Sequence, residues 1–478
     1  ACVSSVPSRR ARQGRRPPVE NRRYGRLPAC AAWVPALAAV LGGCAVGPDY
    51  QRPGLDLPAQ HRAAETAPLP GGTNSFGDLG WWEVIADPQL RAYVAEALTN
   101  SWDIRIAAAR VLQAQSAARV VRSQFYPTVG VGGEIVTSRV SEEGPSRPPP
   151  GVDPTATYGT ALGSMSTYEV DLWGRIRRAS EAARAQVLAS EAAQQAVRQT
   201  LVAQVATAYF DLLQLDYELE IAQRSFLVRS NSLVLTTARE AGGVASLQDV
   251  AQSRVLVAEA GAAIVDTLRR RDQQENALAQ LLGRYPGGLA RGVPLVHQAP
   301  LRDAPAGPPS ALLARRPDLR AAEERLVAAN ASIGEAKAAF FPQLSLTGAF
   351  GFQSVSLGDL FTSPAQVWQF GPSLTLPVFT GGRLKGQLQF AQARFDEAVA
   401  TYQQTVQAAF RDVSDALIQH QRAREFTLRQ RETTEARRGA ARRDVAPGFG
   451  DRLLAALDRV GIAIARGAVG GHGERAIG

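Results

Sequence analysis

Apolar positions along the chain change their spacing in a fixed order, and they do so twice. From Asp87 to about Phe125 they recur at helical spacing, and after Pro127 they fall on alternate residues, as in Val129, Val131 and Ile135. A second alternating run carries Tyr158, Leu162, Tyr168, Val170 and Leu172. A helical pattern then runs from 175 to 241 without Gly or Pro. Continuous helix of that length spans roughly 100 Å at 1.5 Å per residue. The order returns further on. "AAEERLVAANASIGEAK" is helical and stops at Phe340, Phe341 and Pro342, and Leu344, Leu346, Phe350 and Phe352 then alternate. Trp368, Phe370, Leu374, Leu376 and Val378 form a fourth alternating run, and 387–438 is again free of Gly and Pro, about 78 Å as helix. The pattern predicts strands near 128–139, 158–172, 343–355 and 367–379, with Pro372 and Pro377 unfavourable to a central strand.

This order is an internal duplication. At an offset of 215 residues, Leu98, Asp103, Arg105, Ala107, Arg110, Ala114, Phe125 and Pro127 meet identical residues at Leu313, Asp318, Arg320, Ala322, Arg325, Ala329, Phe340 and Pro342. At an offset of 208, Val170, Gly174, Arg175, Ala183, Ala185 and Gln195 meet Val378, Gly382, Arg383, Ala391, Ala393 and Gln403. The difference places a longer loop in the first copy, near "SEEGPSRPPPGVDPTAT". Each copy predicts a helix opened by a proline, at Asp87-Pro88 and at Pro317-Asp318. The helix ends at an aromatic-proline junction, Phe125-Tyr126-Pro127 and Phe340-Phe341-Pro342, because proline disfavours helix in the residue before it. Two strands follow, then a turn at Gly174 or Gly382 into the long helix. The first long helix turns back at Gly242-Gly243, with Ser246 and Asp249 opening the return helix.

Four strands of about ten to fourteen residues have the length of tilted bilayer-crossing strands. Four cannot close into a barrel, and open edges are excluded from lipid, so several copies must share one barrel; three copies give twelve strands. On this reading Leu344, Leu346, Phe350 and Phe352 face lipid and Ser345, Thr347 and Gln353 face the lumen, with Phe340 and Phe341 near the membrane–water interface.

Charge and composition narrow the partners. The 478 residues carry a formal +9, yet residues 1–43 hold eight Arg against Glu20 and residues 429–478 hold ten Arg against six acids. The body is close to neutral and gives no electrostatic reason to bind nucleic acid. Cys2, Cys30 and Cys44 are the only cysteines. His61, His297, His420 and His472 are scattered without metal-ligand spacing, so no metal, no catalytic residue and no enzymatic activity is expected. Glu323-Glu324 is expected on a solvated helix face. Arg-rich sequence followed by the apolar run Ala29–Leu41 reads as a secretory leader. Leu41-Gly42-Gly43-Cys44 resembles a bacterial lipobox, which implies a diacylglyceryl and fatty acyl anchor on Cys44 and no other cofactor. Ala45 in the next position is similar to outer-membrane sorting signals. Residues before about Arg22 look like extra sequence.

"DLWGRIRRASEAARAQV" (171–187), "LLGRYPG" (281–287), "PSALLARRPDLRAAEERLVAANASIGEAKAAFFPQLSLTG" (309–348) and "LPVFTGGRLKGQLQFAQARFDEAVATYQQTV" (376–406) resemble outer-membrane efflux proteins of the TolC type. The likeness is to the lipoprotein branch serving resistance–nodulation–division pumps, and it covers about 44–438. It implies a mainly α protein with a transmembrane β-barrel: a homotrimer with a twelve-stranded barrel in the outer membrane and a long α-helical barrel in the periplasm. It also implies a passive conduit for drugs and other small toxic compounds, joined by a periplasmic adaptor to an inner-membrane pump. Arg239, Gly243, Ser246 and Asp249 are expected at the periplasmic tip, where the adaptor docks. The expected segments are a leader (1–43), an acylated extended segment (44–86), a first repeat (87–311), a second repeat (312–438) and an atypical tail (439–478). The tail departs from the family's second tip and return helix, as a reading-frame change or truncation would produce. A type I secretion outlet and a lipid-anchored periplasmic coiled-coil scaffold are the alternative functions.

Overall fold

Residues 45–58, 62, 80–145, 147–299 and 311–444 are described by the computed structural model. Cys44, His61, His472 and the tail from 445 onward lie outside them. The described chain divides into a sheet unit, formed by 128–175 and 341–376 with 45–46, and a helical unit formed by the remainder.

The sheet unit holds four antiparallel strands in the order of the sequence: β1 (Val129–Arg139), β2 (Thr155–Val170), β3 (Gln343–Ser354) and β4 (Gln366–Thr375). The two hairpins come from different repeats and join through β2 and β3. The 140–154 connection exceeds the 355–365 one, as the change in repeat offset requires. β4 stops at Thr375, so Leu376 and Val378 belong to no strand. Pro377 follows at once, and proline supplies no N–H to continue a ladder. Pro372 is accommodated inside β4, opposite Leu346, because β4 is an edge strand.

The helical unit contains α1 (Trp81–Val84), α2 (Pro88–Asn100), α3 (Trp102–Ser123), α4 (Arg175–Ala241), α5 (Leu247–Leu281), α6 (Ala311–Arg315), α7 (Pro317–Ala338) and α8 (Arg383–Asp444). Helix α4 runs through all 67 residues of the Gly- and Pro-free stretch. Helix α8 exceeds its expected range at both ends, from Arg383 to Asp444.

The helix expected from Asp87 to Phe125 is broken. Ser101, with φ −56° and ψ 136°, ends α2 through its N–H to the Ala97 carbonyl and caps α3 by accepting from the Asp103 N–H at 3.3 Å. At the 215-residue offset Ser101 corresponds to Arg316, where α6 gives way to α7. Pro317-Asp318 therefore opens the second helix of its repeat and matches Trp102-Asp103, not Asp87-Pro88.

Two cores form in parallel. In the first repeat Leu90, Val94, Leu201, Val205, Leu212, Leu278 and Leu282 are fully buried around Tyr209. In the second, Leu319, Leu326, Val406 and Ala409 surround Tyr402, and Tyr50, Leu55 and Leu57 of the N-terminal segment pack on them. Each large apolar side chain so buried contributes about 1.5–3 kcal/mol. The N-terminal segment is tightly laid on α7. A Cβ at Gly47 would lie 2.5 Å from the Gly334 Cα, and Gly47 has φ +118°, so only glycine fits. Asn330 donates to the Pro48 carbonyl at 3.0 Å, and Asp49 pairs with buried Arg178 at 2.8 Å. Glu323, expected in solvent, instead takes both guanidinium arms of Arg52 at 2.6 Å and the Tyr50 hydroxyl at 3.2 Å.

Asp87 is the polar centre of the first core. It caps α2 by accepting from the Gln89 and Leu90 N–H groups at 2.8 and 3.4 Å. It also accepts from the Tyr209 hydroxyl (3.0 Å), the Val293 N–H (3.2 Å) and the Gln298 amide (2.7 Å), which ties the loop after α5 to α2 and α4. Burial pushes the Tyr209 hydroxyl up to about 12 despite the Gly292 N–H, with the Asp87 carboxylate adding to it, so it stays a donor. For Asp87 burial alone would raise the pKa. The donors from Gln298, Gln89, Tyr209 and Leu90 outweigh it and hold the carboxyl below its usual 3.8.

A depressed folded-state pKa stabilises the protein above the unfolded value, and that contribution disappears as pH falls through the folded value. Asp87→Ala should cost about 2–4 kcal/mol at neutral pH, from the lost cap and three stranded donors. Asp87→Asn should cost less. Thermal unfolding of the detergent-solubilised protein, followed by circular dichroism, should show the gap between wild type and Asp87→Ala narrowing below about pH 4.

Candidate functional site

In an antiparallel sheet, paired residues share a face, so the register assigns every side chain. One face is apolar. Its rows read Val131–Gly163–Phe350–Trp368, Val129–Met165–Gly348–Phe370 and Val170–Leu344–Leu374. It is also solvent-exposed in the single chain: Val131 is 90% exposed, Trp368 75% and Leu374 67%. The other face is small and polar, with rows Glu134–Thr160–Gln353, Gly130–Ser164–Ala349–Gln369 and Glu169–Ser345–Ser373. The register thus groups Leu344, Leu346, Phe350 and Phe352 on one face and Ser345, Thr347 and Gln353 on the other.

Strict alternation fails within β2. The register shifts by one residue between Met165 and Tyr168, a bulge that reverses the parity of the strand. Tyr168 and Val170 lie on the apolar face, whereas Tyr158 and Leu162, expected beside them, lie on the polar one. Leu162 is accommodated there above Gly351, where a Cβ would come within 2.1 Å of the Ala161 carbonyl oxygen and 2.9 Å of the Leu162 side chain.

The aromatic-proline junctions close with tightened helical turns: the Tyr126 N–H reaches the Ser123 carbonyl and the Phe340 N–H reaches the Lys337 carbonyl. Phe125, Tyr126, Pro127 and Phe340 belong to the helical unit, with Tyr126 and Phe340 exposed. Phe341 and Pro342 belong to the sheet unit. There Phe341 stacks on Trp173 at 4.8 Å, and the Trp173 indole donates to the Pro342 carbonyl at 2.8 Å. Trp173 was not among the residues expected at this junction; the neighbouring quoted motif "DLWGR" contains it. Beside it, Arg175 holds Glu169 through three contacts of 2.7–3.1 Å. Gly174 and Gly382 both carry positive φ, +79° and +88°, as strand gives way to long helix.

The turn between α4 and α5 is built from the expected residues. Gly243 has φ +75°, a left-handed conformation that favours glycine, and the Val244 N–H then closes on the Arg239 carbonyl at 2.9 Å. Ser246 and Asp249 form a reciprocal capping box. The Ser246 hydroxyl accepts from the Asp249 N–H at 3.2 Å, and the Asp249 carboxylate accepts from the Ser246 N–H at 2.9 Å and from its hydroxyl at 2.8 Å. These donors hold the Asp249 carboxyl below its usual range, the backbone N–H first. Val244 and Leu247 flank the turn with their side chains exposed.

Sequence reasoning missed the ion pairs that tie α4 and α5 to the loop after α5. Arg291 joins Asp216 of α4 at 2.7 Å and also contacts Glu275 of α5. Long-range charge pairs leave no periodic trace. Among the described residues no group of three His, Cys, Asp or Glu could hold a metal ion, and no helix is long and apolar enough to cross a membrane.

A model of the outer membrane efflux protein family matches residues 93–284 and 309–446, one block in each repeat. The solvent efflux pump outer membrane protein SrpC of Pseudomonas putida is 38% identical over 386 residues, 79% of this chain and 80% of that protein. The outer membrane protein OprJ of Pseudomonas aeruginosa is 37% identical over 410 residues, 85% and 83% of the two chains. The crystal structure of the open state of the MtrE outer membrane channel of Neisseria gonorrhoeae matches with a TM-score of 0.73 and 31% identity, over 88% of this chain and 89% of that one. A two-faced sheet, a duplicated helix–hairpin–helix order and these likenesses agree: the chain belongs to the outer membrane efflux protein family.

Proposed function

We propose that three copies of this chain form the outer-membrane channel of a tripartite efflux pump. They close one twelve-stranded barrel in the membrane and one α-helical barrel in the periplasm. A periplasmic adaptor joins this conduit to an inner-membrane pump of the resistance–nodulation–division class, which supplies the energy. The cargo is drugs and other small toxic compounds, in keeping with relatives named for solvent, toluene and antibiotic efflux. The single observation that carries the assembly is the sheet. Its apolar face is exposed and both of its edges, β1 and β4, end unpaired within the chain. Such a sheet is tolerated in a bilayer only when its edges close on other strands. A lipid-anchored scaffold has no use for it.

The turn at Arg239, Gly243, Ser246 and Asp249 serves as the tip that meets the adaptor, and exposed Val244 and Leu247 give it apolar contact area. Cys44 carries the lipid anchor. The lipobox-like Leu41-Gly42-Gly43-Cys44 supports this, as does the immediate docking of residues 47–57 on the helical unit.

Deleting the gene should raise accumulation of a fluorescent pump substrate, and restoring it should reverse the rise. The unheated protein should migrate in detergent gels as a trimer. Unchanged accumulation across a broad dye and drug panel would sink the efflux reading. Radiolabelled palmitate should enter the wild-type protein and not Cys44→Ala; equal labelling of both excludes Cys44 as the anchor. Ser246→Ala combined with Asp249→Ala should loosen the helix-pair turn by removing its reciprocal cap. Cross-linking to the adaptor should weaken in this variant while the trimer persists; an unaltered cross-link would remove the turn from the contact.

A further inference from the structure

The four strands carry only three charged side chains, Glu134, Arg139 and Glu169. Arg139 ends β1 and pairs with Glu142 at 2.8 Å. Glu169 is neutralised by Arg175. Glu134 stands at mid-strand, and among the described residues no ion pair engages it. A charge at mid-strand is expensive against lipid, which assigns the Glu134 face to the lumen. Its row continues through the neutral Thr160 and Gln353, and the next polar row toward the Glu169 end, Gly130–Ser164–Ala349–Gln369, is neutral too. The polar face therefore carries one uncompensated charge per chain.

We infer that Glu134 sets the ion preference of the barrel lumen: one carboxylate from each of three copies, all at the same height, favours cations and disfavours anionic solutes. The inference rests on the trimeric barrel proposed above. The ring is anionic because nothing on the same face offsets it, and its reach depends on salt. Charges act over about 10 Å in 0.1 M salt and about 3 Å in 1 M. Anionic cargo should then pass this level less readily than neutral or cationic cargo of the same size.

The test uses the purified full-length trimer in planar bilayers under a potassium chloride gradient near 0.1 M, with the reversal potential as readout. Wild type should favour potassium over chloride. Glu134→Gln, which keeps the shape of the side chain, should lower the permeability ratio by roughly three-fold, and the effect should shrink in 1 M salt. Glu134→Lys should reverse the preference. A conducting trimer whose ratio is the same in wild type, Glu134→Gln and Glu134→Lys overturns the inference and leaves the trimeric reading standing. A wild-type chain that neither migrates as a trimer nor conducts overturns that reading, and this one with it.

Discussion

Backbone hydrogen bonding at the two sheet edges is the constraint on which the rest depends. Within the chain β2 and β3 are paired on both sides, while β1 and β4 each have one partner. In hydrocarbon no water replaces the missing one, and each unsatisfied peptide group costs several kcal/mol. The side chains obey the same solvent. The broad apolar face of Val131, Phe350, Trp368 and Leu374 would be a liability in water and would be a stable outer surface in lipid. A sheet of this kind placed in a bilayer would be unfinished as a monomer, which is why the proposed conduit is an assembly. Pro372 fits the same logic, since an edge position spares the chain's own ladder its missing N–H.

The helical unit solves a different problem. Helices of 67 and 62 residues cannot be held by a compact core, so the cores are local and repeated. Each gathers around a buried tyrosine, Tyr209 or Tyr402. Polar anchors then join segments far apart in sequence: Asp87 gathers the start of α2, the middle of α4 and the loop after α5, and Arg291 bridges α4 to α5. The N-terminal segment plays the corresponding part on α7 and α4, with Arg52 on Glu323 of α7 and Asp49 on Arg178 of α4. Removing the partner of a buried group such as Asp87 or Arg178 is strongly destabilising, because the group is left uncompensated, whereas the half-exposed Arg52–Glu323 pair adds less.

Much of this architecture was legible because two periods, 3.6 and 2, are written directly in the order of apolar residues. The strands, the 175–241 helix, the duplication and the Gly243–Ser246–Asp249 turn were all readable, since each rests on neighbours in sequence. The misses share a cause. The bulge at Met165–Tyr168 moves Tyr158 and Leu162 to the polar face, and no local signal marks it; only the pairing with β3 reveals the extra residue. The break at Ser101 falls at a buried position in step with Ala97 and Ile104, and one serine in the stripe does little to disturb the apolar period on either side. Glu323 reads as a solvated acid because its partner, Arg52, lies 271 residues away.

By itself the sequence determined which segments are helix and strand, that they occur twice, and which strand residues alternate. These follow from steric and solvent preferences acting over a few residues. The tertiary structure decided which face of the sheet each residue occupies across the bulge, that the hairpins of the two repeats join through β2 and β3, and that Asp87, Tyr209 and Gln298 meet. Those outcomes depend on pairing and burial between segments a hundred or more residues apart, where free energy is shared among partners that no local pattern can name.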